Sequence, residues 1–91
     1  MKIYLAGPIT GVADFFEVFA FYANKLRMDG HEVFNPTHLR NMPLRQIMSH
    51  EMRWLCEEAE AIALMPGWAN SKGATIEFQV AKYLGHKVLY L

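Results

Sequence analysis

Short apolar runs alternate along the chain with longer stretches in which apolar residues recur at helical spacing. Residues 2–6 (KIYLA) read as a strand, ended by the turn Gly7-Pro8. From Asp14, which can serve as N-cap, Phe15, Phe19, Tyr22 and Leu26 fall at i, i+4, i+7 and i+11, the apolar face of a helix that should stop near Asp29-Gly30. Core packing accounts for that stripe, whereas Phe21 lies on the opposite side and hints at a partner surface. Residues 31–35 (HEVFN) form a second strand, closed by Asn35-Pro36, and a polar, basic stretch with Arg40 and Arg45 follows. A second helix is expected from about Pro43 to Glu58. It has Met48, Met52 and Leu55 on one stripe, and Ile47 and Trp54 on another beside Glu51 and Glu58. Two stripes on one helix imply contact with the sheet and with a second subunit. Residues 61–65 (AIALM) are continuously apolar, as in a strand buried on both faces. After PGWANSKGA a third helix runs to about Leu84, with Gly85 as its C-cap, and residues 87–91 form the last strand.

This β-α-β-α-β-α-β order predicts one domain over residues 1–91, of α/β class: a doubly wound, flavodoxin- or Rossmann-like fold. Its four-stranded parallel sheet would have three helices on its two faces. The expected strand order is 2-1-3-4, which reverses the winding between strands 1 and 3. Ligands in such sheets bind outside the carboxyl ends of the strands at that reversal. The two loops meeting there are residues 7–13 and 66–72, which also carry the chain's Gly-Pro and Pro-Gly turns.

Composition narrows the functional classes. Nine basic and nine acidic residues cancel, which argues against a nucleic-acid polymer as partner, since such binders carry a basic excess or stripe. No apolar run approaches the roughly 20 residues that cross a bilayer, and no charged, then apolar leader precedes the first strand. The single cysteine, Cys56, allows no internal disulfide, so a cytoplasmic location is expected. His31, His38, His50 and His86 share no ligand-like spacing with one another or with Cys56, so neither metal nor cofactor is expected.

Candidate chemistry gathers at the start of the third helix, SKGATIE. Ser71 can cap it, Gly73 allows close approach to the backbone, and free amides there favour an anion, with Lys72 adding a charge. An ordinary capped helix explains the local pattern equally simply. On a helical wheel Glu77 sits beside the Ile76, Val80 and Leu84 face rather than on the outer side. Its side chain leans back toward the helix start, where the helix dipole should favour the ionised form. A carboxylate held ionised and partly dry suits a nucleophile. The competing reading is a solvated glutamate near Lys82.

Taken together, MKIYLAGPITG, NPTH, AIALMPGWANSKGATIE and AKYLGHKVLYL resemble the nucleoside 2-deoxyribosyltransferase-like superfamily over nearly the whole chain, and its short bacterial and phage members most. The resemblance implies that Glu77 is the catalytic glutamate, which attacks the anomeric carbon, releases the base and leaves a covalent glycosyl-enzyme. Water or a second base would then complete hydrolysis or transfer. It further implies that Gly7, Pro8, Ile9 and Thr10 line the base and sugar pocket, opposite Gly67, Trp68, Ser71, Lys72 and Gly73. Six residues before the glutamate the transferases carry an aspartate for the 5′-hydroxyl, and the nucleotide hydrolases a serine for the 5′-phosphate. Ser71 stands there in this chain, so nucleoside 5′-monophosphates are the expected substrates. A nucleotide-binding module without turnover is the alternative. An acid for the departing base is not assigned by the resemblance; Asp14, Glu60, which replaces a common aspartate, or a neighbouring subunit could supply it. A homo-oligomer is expected, with Phe21, Ile47 and Trp54 as its contacts.

Overall fold

The computed structural model describes residues 1–91. Four strands, β1 (Lys2–Ala6), β2 (Glu32–Phe34), β3 (Ala61–Leu64) and β4 (Lys87–Tyr90), form one parallel sheet of order β2-β1-β3-β4. Three helices, α1 (Phe15–Met28), α2 (Leu44–Glu57) and α3 (Lys72–Tyr83), make the crossovers. Ile3 and Tyr4 pair with Val33 and Phe34 on one side and with Ala61 and Ile62 on the other, so β1 is fully flanked and all its residues after Lys2 are buried. The expected 2-1-3-4 order holds, and element ends agree with the sequence reading to within a residue or two.

Alternation along the strands divides the core in two. Ile3, Leu5, Val33, Ala61 and Ala63 face α1 and meet Phe19, Ala23 and Leu26. Phe15 and Tyr22, the other members of the aromatic stripe, pack half-buried against the same cluster. Tyr4, Ala6, Ile62 and Leu64 face the opposite layer, where Leu55 of α2 and Ala74 and Ala81 of α3 close over them. Phe21 is 59% exposed, with the Lys25 ammonium 5.7 Å above its ring.

Three expectations change here. The second stripe of α2 is not a free surface. Ile47 is buried, and half-buried Trp54 lies 5.2 Å from the Phe34 ring and 6.5 Å from that of Tyr4. Ile47 is therefore withdrawn as a contact between copies, because the chain itself consumes it. Helix α3 turns Ala74, Glu77 and Ala81 inward, leaving Ile76 and Leu84 nearly half exposed; small side chains let the helix sit close to the sheet, which the apolar-wheel reading did not weigh. Asp14 occupies the position before α1 without a side-chain capping bond.

Burial assigns the stability of the α1 layer to its inner aromatic. Phe19→Ala should cost about 3–5 kcal/mol, the usual range for deleting a fully buried phenylalanine, whereas Phe21→Ala should stay within about 0.5 kcal/mol of wild type. Urea unfolding of both variants checks this; equal losses would place the stripe wrongly.

Candidate functional site

A cleft of about 410 Å³ opens at the carboxyl end of β1, between the loop that follows it, the start of α3, and α2. Each wall has a local cause. β1 and β3 converge so closely at their ends that a Cβ on Gly7 would lie 2.9 Å from that of Met65, so only glycine fits there. Across from it, the Ser71 hydroxyl accepts from the Ala74 amide at 3.2 Å and starts α3. The third wall begins at Asn35, whose Oδ1 accepts from the Thr37 amide at 3.1 Å and from its hydroxyl at 2.9 Å. That cap sets a short 3-10 turn, Pro36–Leu39, which delivers Arg40 to the cleft.

Of the residues proposed from the sequence, Gly7, Ile9, Thr10, Ser71, Lys72, Gly73 and Glu77 line this cleft together. Pro8, Gly67 and Trp68 do not. A Cβ on Gly67, whose φ is +87°, would touch Pro8 Cγ at 3.4 Å, so these two pack on each other outside the cleft lining. Trp68 leans on Phe78, 4.8 Å away between ring centres, and 6.5 Å from Tyr90. Asp14 is exposed and does not line the cleft. Glu60 lies at the other end of the sheet, where its carboxylate accepts from the Lys2 amide at 2.8 Å. Its part is to cap the entry of β1, so Glu60 is withdrawn as a supporting acid.

The chemical centre of the cleft is Glu77, buried to 6% exposure. The hydroxyl of Tyr4, itself fully buried in the central strand, donates to Glu77 Oε2 at 2.7 Å. A second carboxyl, that of Glu51 on α2, lines the same cleft beside it and is also buried. Arg40 Nη2 donates to Glu51 Oε2 at 2.6 Å, in an ion pair whose arginine side chain is 27% exposed. Arg40 Nε is buried with no partner.

These contacts reverse the expected charge on Glu77. Together its surroundings raise its pKa from 4.5 to about 8: loss of solvent is the largest influence and the adjacent Glu51 acts in the same direction, while the Tyr4 hydroxyl and Arg40 oppose the rise. At neutral pH the carboxyl is therefore protonated, not ionised by the helix start as the sequence suggests. The same burial raises Glu51, but its bond and ion pair with Arg40 work against that. The one proton of the pair accordingly rests on Glu77, and Glu51 carries the charge opposite Arg40. The rival picture of a solvated glutamate near Lys82 also fails, since the Lys82 ammonium sits 5.8 Å over the Phe78 ring.

Sequence reasoning missed Arg40 and Glu51 as site residues. For Glu51 a signal was present: an acidic residue set within the Ile47 and Trp54 stripe of α2 had to be buried with a partner. Arg40 depends on the turn that Asn35 caps, which no periodicity reveals. No group of three or more histidine, cysteine, aspartate or glutamate side chains gathers in an arrangement able to hold a metal, and no helix is long and apolar enough to cross a membrane.

A family model described as a domain of unknown function (DUF4406) matches residues 1–90. A search of curated proteins finds no match.

The raised pKa makes a stability prediction. Because the folded chain binds the Glu77 proton more tightly than the unfolded chain, its contribution falls as pH rises from about 4.5 to about 8 and is level above that. In urea unfolding between pH 5 and 9, Glu77→Gln should gain on the wild type progressively up to about pH 8. Parallel pH curves for the two proteins would contradict the assignment.

Proposed function

This chain belongs to the DUF4406 family, and we propose that its cleft takes a nucleoside 5′-monophosphate and breaks the bond between sugar and base through Glu77. The observation that carries this reading is the placement of Glu77: a buried carboxyl, aimed by Tyr4, opening on the same cleft as the start of α3. The sequence resemblance to the nucleoside 2-deoxyribosyltransferase-like superfamily supports the same chemistry.

In this reading the phosphate lies against the first amides of α3 beside Ser71 and Gly73, where free N–H groups and the helix dipole favour an anion. Lys72 adds its charge; its ammonium joins none of the ion pairs that the chain forms. The sugar lies toward Gly7, Ile9 and Thr10, which places its anomeric carbon near Glu77. The ionised Glu77 attacks that carbon as the bond to the base nitrogen breaks, and the departing electron pair stays with the base, which takes up a proton from water. The resulting glycosyl ester is then opened by water, giving hydrolysis, or by a second base, giving transfer. Binding one anionic group at α3 and reacting at a buried carboxyl keeps recognition and chemistry at separate ends of the cleft. The reading includes self-association through Phe21 and the exposed part of Trp54.

One observation favours a second reading, a nucleotide-binding module without turnover. A carboxyl protonated at neutral pH donates a hydrogen bond and does not attack. A single experiment separates the two. Wild type, Glu77→Ala and Glu77→Gln are incubated with a panel of 2-deoxynucleosides and their 5′-monophosphates, and free base is measured. The enzyme reading expects base release from the monophosphates, at least about 100-fold reduced in both variants. Binding of a monophosphate without release of base by wild type would establish the module instead. A preference for the unphosphorylated nucleosides would overturn the assignment of Ser71 and Lys72 to a phosphate.

A further inference from the structure

The mechanism above requires an ionised Glu77, yet its buried surroundings hold it protonated. The resolution lies in the arrangement of four side chains from four places in the fold: Tyr4 on β1, Arg40 after the 3-10 turn, Glu51 on α2 and Glu77 on α3. Tyr4 donates to Glu77, Arg40 donates to Glu51, and the two carboxyls adjoin. We propose that Arg40 is a positioning residue that decides which of the two carboxyls holds their shared proton, and that a ligand drawing Arg40 away from Glu51 thereby frees Glu77 to react.

The chemistry follows from the donors available to each acid. With Arg40 in place, Glu51 has a guanidinium at 2.6 Å and is the better anion. Without it, Glu51 is a buried carboxylate whose one charged donor is gone, whereas Glu77 keeps the Tyr4 hydroxyl at 2.7 Å. The stable arrangement then inverts: the proton passes from the Glu77 carboxyl to the Glu51 carboxylate, leaving Glu77 ionised and Glu51 neutral. No atom enters or leaves, and the negative charge moves from one acid to the other.

Arg40 is suited to leave Glu51. It holds that partner through one Nη, its Nε has no acceptor, and its side chain is partly exposed in the cleft. A ligand that offers the guanidinium an acceptor pair, such as a carbonyl beside a ring nitrogen on a base, satisfies the unpaired Nε that Glu51 leaves unmet. The nucleophile would then be ionised only when the cleft is filled, and an empty site would be chemically quiet. The other groups facing Glu77 do not supply this switch: Tyr4 stays neutral because burial beside Glu77 raises its pKa well above 10, and Ser71 does not titrate.

The ligand-dependent half of the proposal rests on the nucleotide reading, but the role of Arg40 can be tested without it. The carboxyl ¹³C resonances of Glu51 and Glu77 are titrated by NMR in wild type, Arg40→Gln and Arg40→Lys, with Glu51→Gln and Glu77→Gln assigning the signals. In wild type Glu77 should be the last of the two to ionise. In Arg40→Gln the order should exchange, with Glu51 ionising last and the Glu77 midpoint moving to lower pH by about one unit or more. In Arg40→Lys, which keeps the charge, the wild-type order should persist. A direct charge effect has the opposite sign, because Arg40 by itself lowers the pKa of Glu77. A rise in the Glu77 midpoint in Arg40→Gln, or an unchanged order, overturns the proposal. Should Arg40→Gln not fold, Arg40→Met makes the same measurement with the aliphatic stem kept, and exchange of the order in Arg40→Lys alone would equally contradict a charge-based role. If no base release is found while the NMR order exchanges, the nucleotide reading fails and the role of Arg40 stands.

Discussion

The hydrogen bond from Tyr4 to Glu77 joins the middle of the sheet to the helix at the mouth of the cleft. Burying a carboxyl is costly without a donor or a proton, and Glu77 has both. Tyr4 can serve as donor because its ring is fixed on every side: it stacks on Phe34 at 5.2 Å and 12°, meets Trp54, and belongs to a strand hydrogen-bonded on both edges. The carboxyl is thereby held in place by a buried strand paired on both edges. The positions of Glu51 and Arg40, and the charge state of the whole group, follow from that anchoring.

The two faces of the sheet divide the work. The α1 face is filled with large apolar side chains, Ile3, Leu5, Phe19 and Leu26 among them, and this layer supplies ordinary hydrophobic stabilisation. On the other face Ala6, Ala74 and Ala81 are small. They bring α3 close to β1 and β3, and this close approach is what lets a tyrosine in the strand reach a glutamate in the helix. The polar group thus sits where bulk was given up, at the carboxyl end of the sheet and at the reversal of winding between β1 and β3, the place where sheets of this kind leave a crevice.

The fold was readable because periodicity and turn chemistry agree throughout. Gly7-Pro8, Asn35-Pro36, Ser71 and Gly85 mark boundaries that the apolar spacing indicates independently. Most of the cleft was readable for the same reason, since strand ends and helix starts define it. What escaped lies in the third dimension. Glu60 precedes a buried strand and looked like a site residue, yet a parallel strand enters the sheet at the end away from its ligands. The ionised state expected of Glu77 came from a helix-start argument that weighs one dipole; burial and a neighbouring acid from another helix outweigh it, and neither has a local signature. Ile47 read as surplus to one helix face because a wheel of one helix does not show what the rest of the chain covers, and here it is buried.

The central claim is that Glu77 becomes covalently joined to the sugar. Wild-type protein mixed with a 2-deoxynucleoside 5′-monophosphate, quenched in acid within a turnover and digested, can be read by peptide mass spectrometry. The account predicts a deoxyribose 5-phosphate adduct on the peptide that contains Glu77, with its attachment on that side chain. Free base formed with no adduct there, or an adduct on another residue, would contradict it.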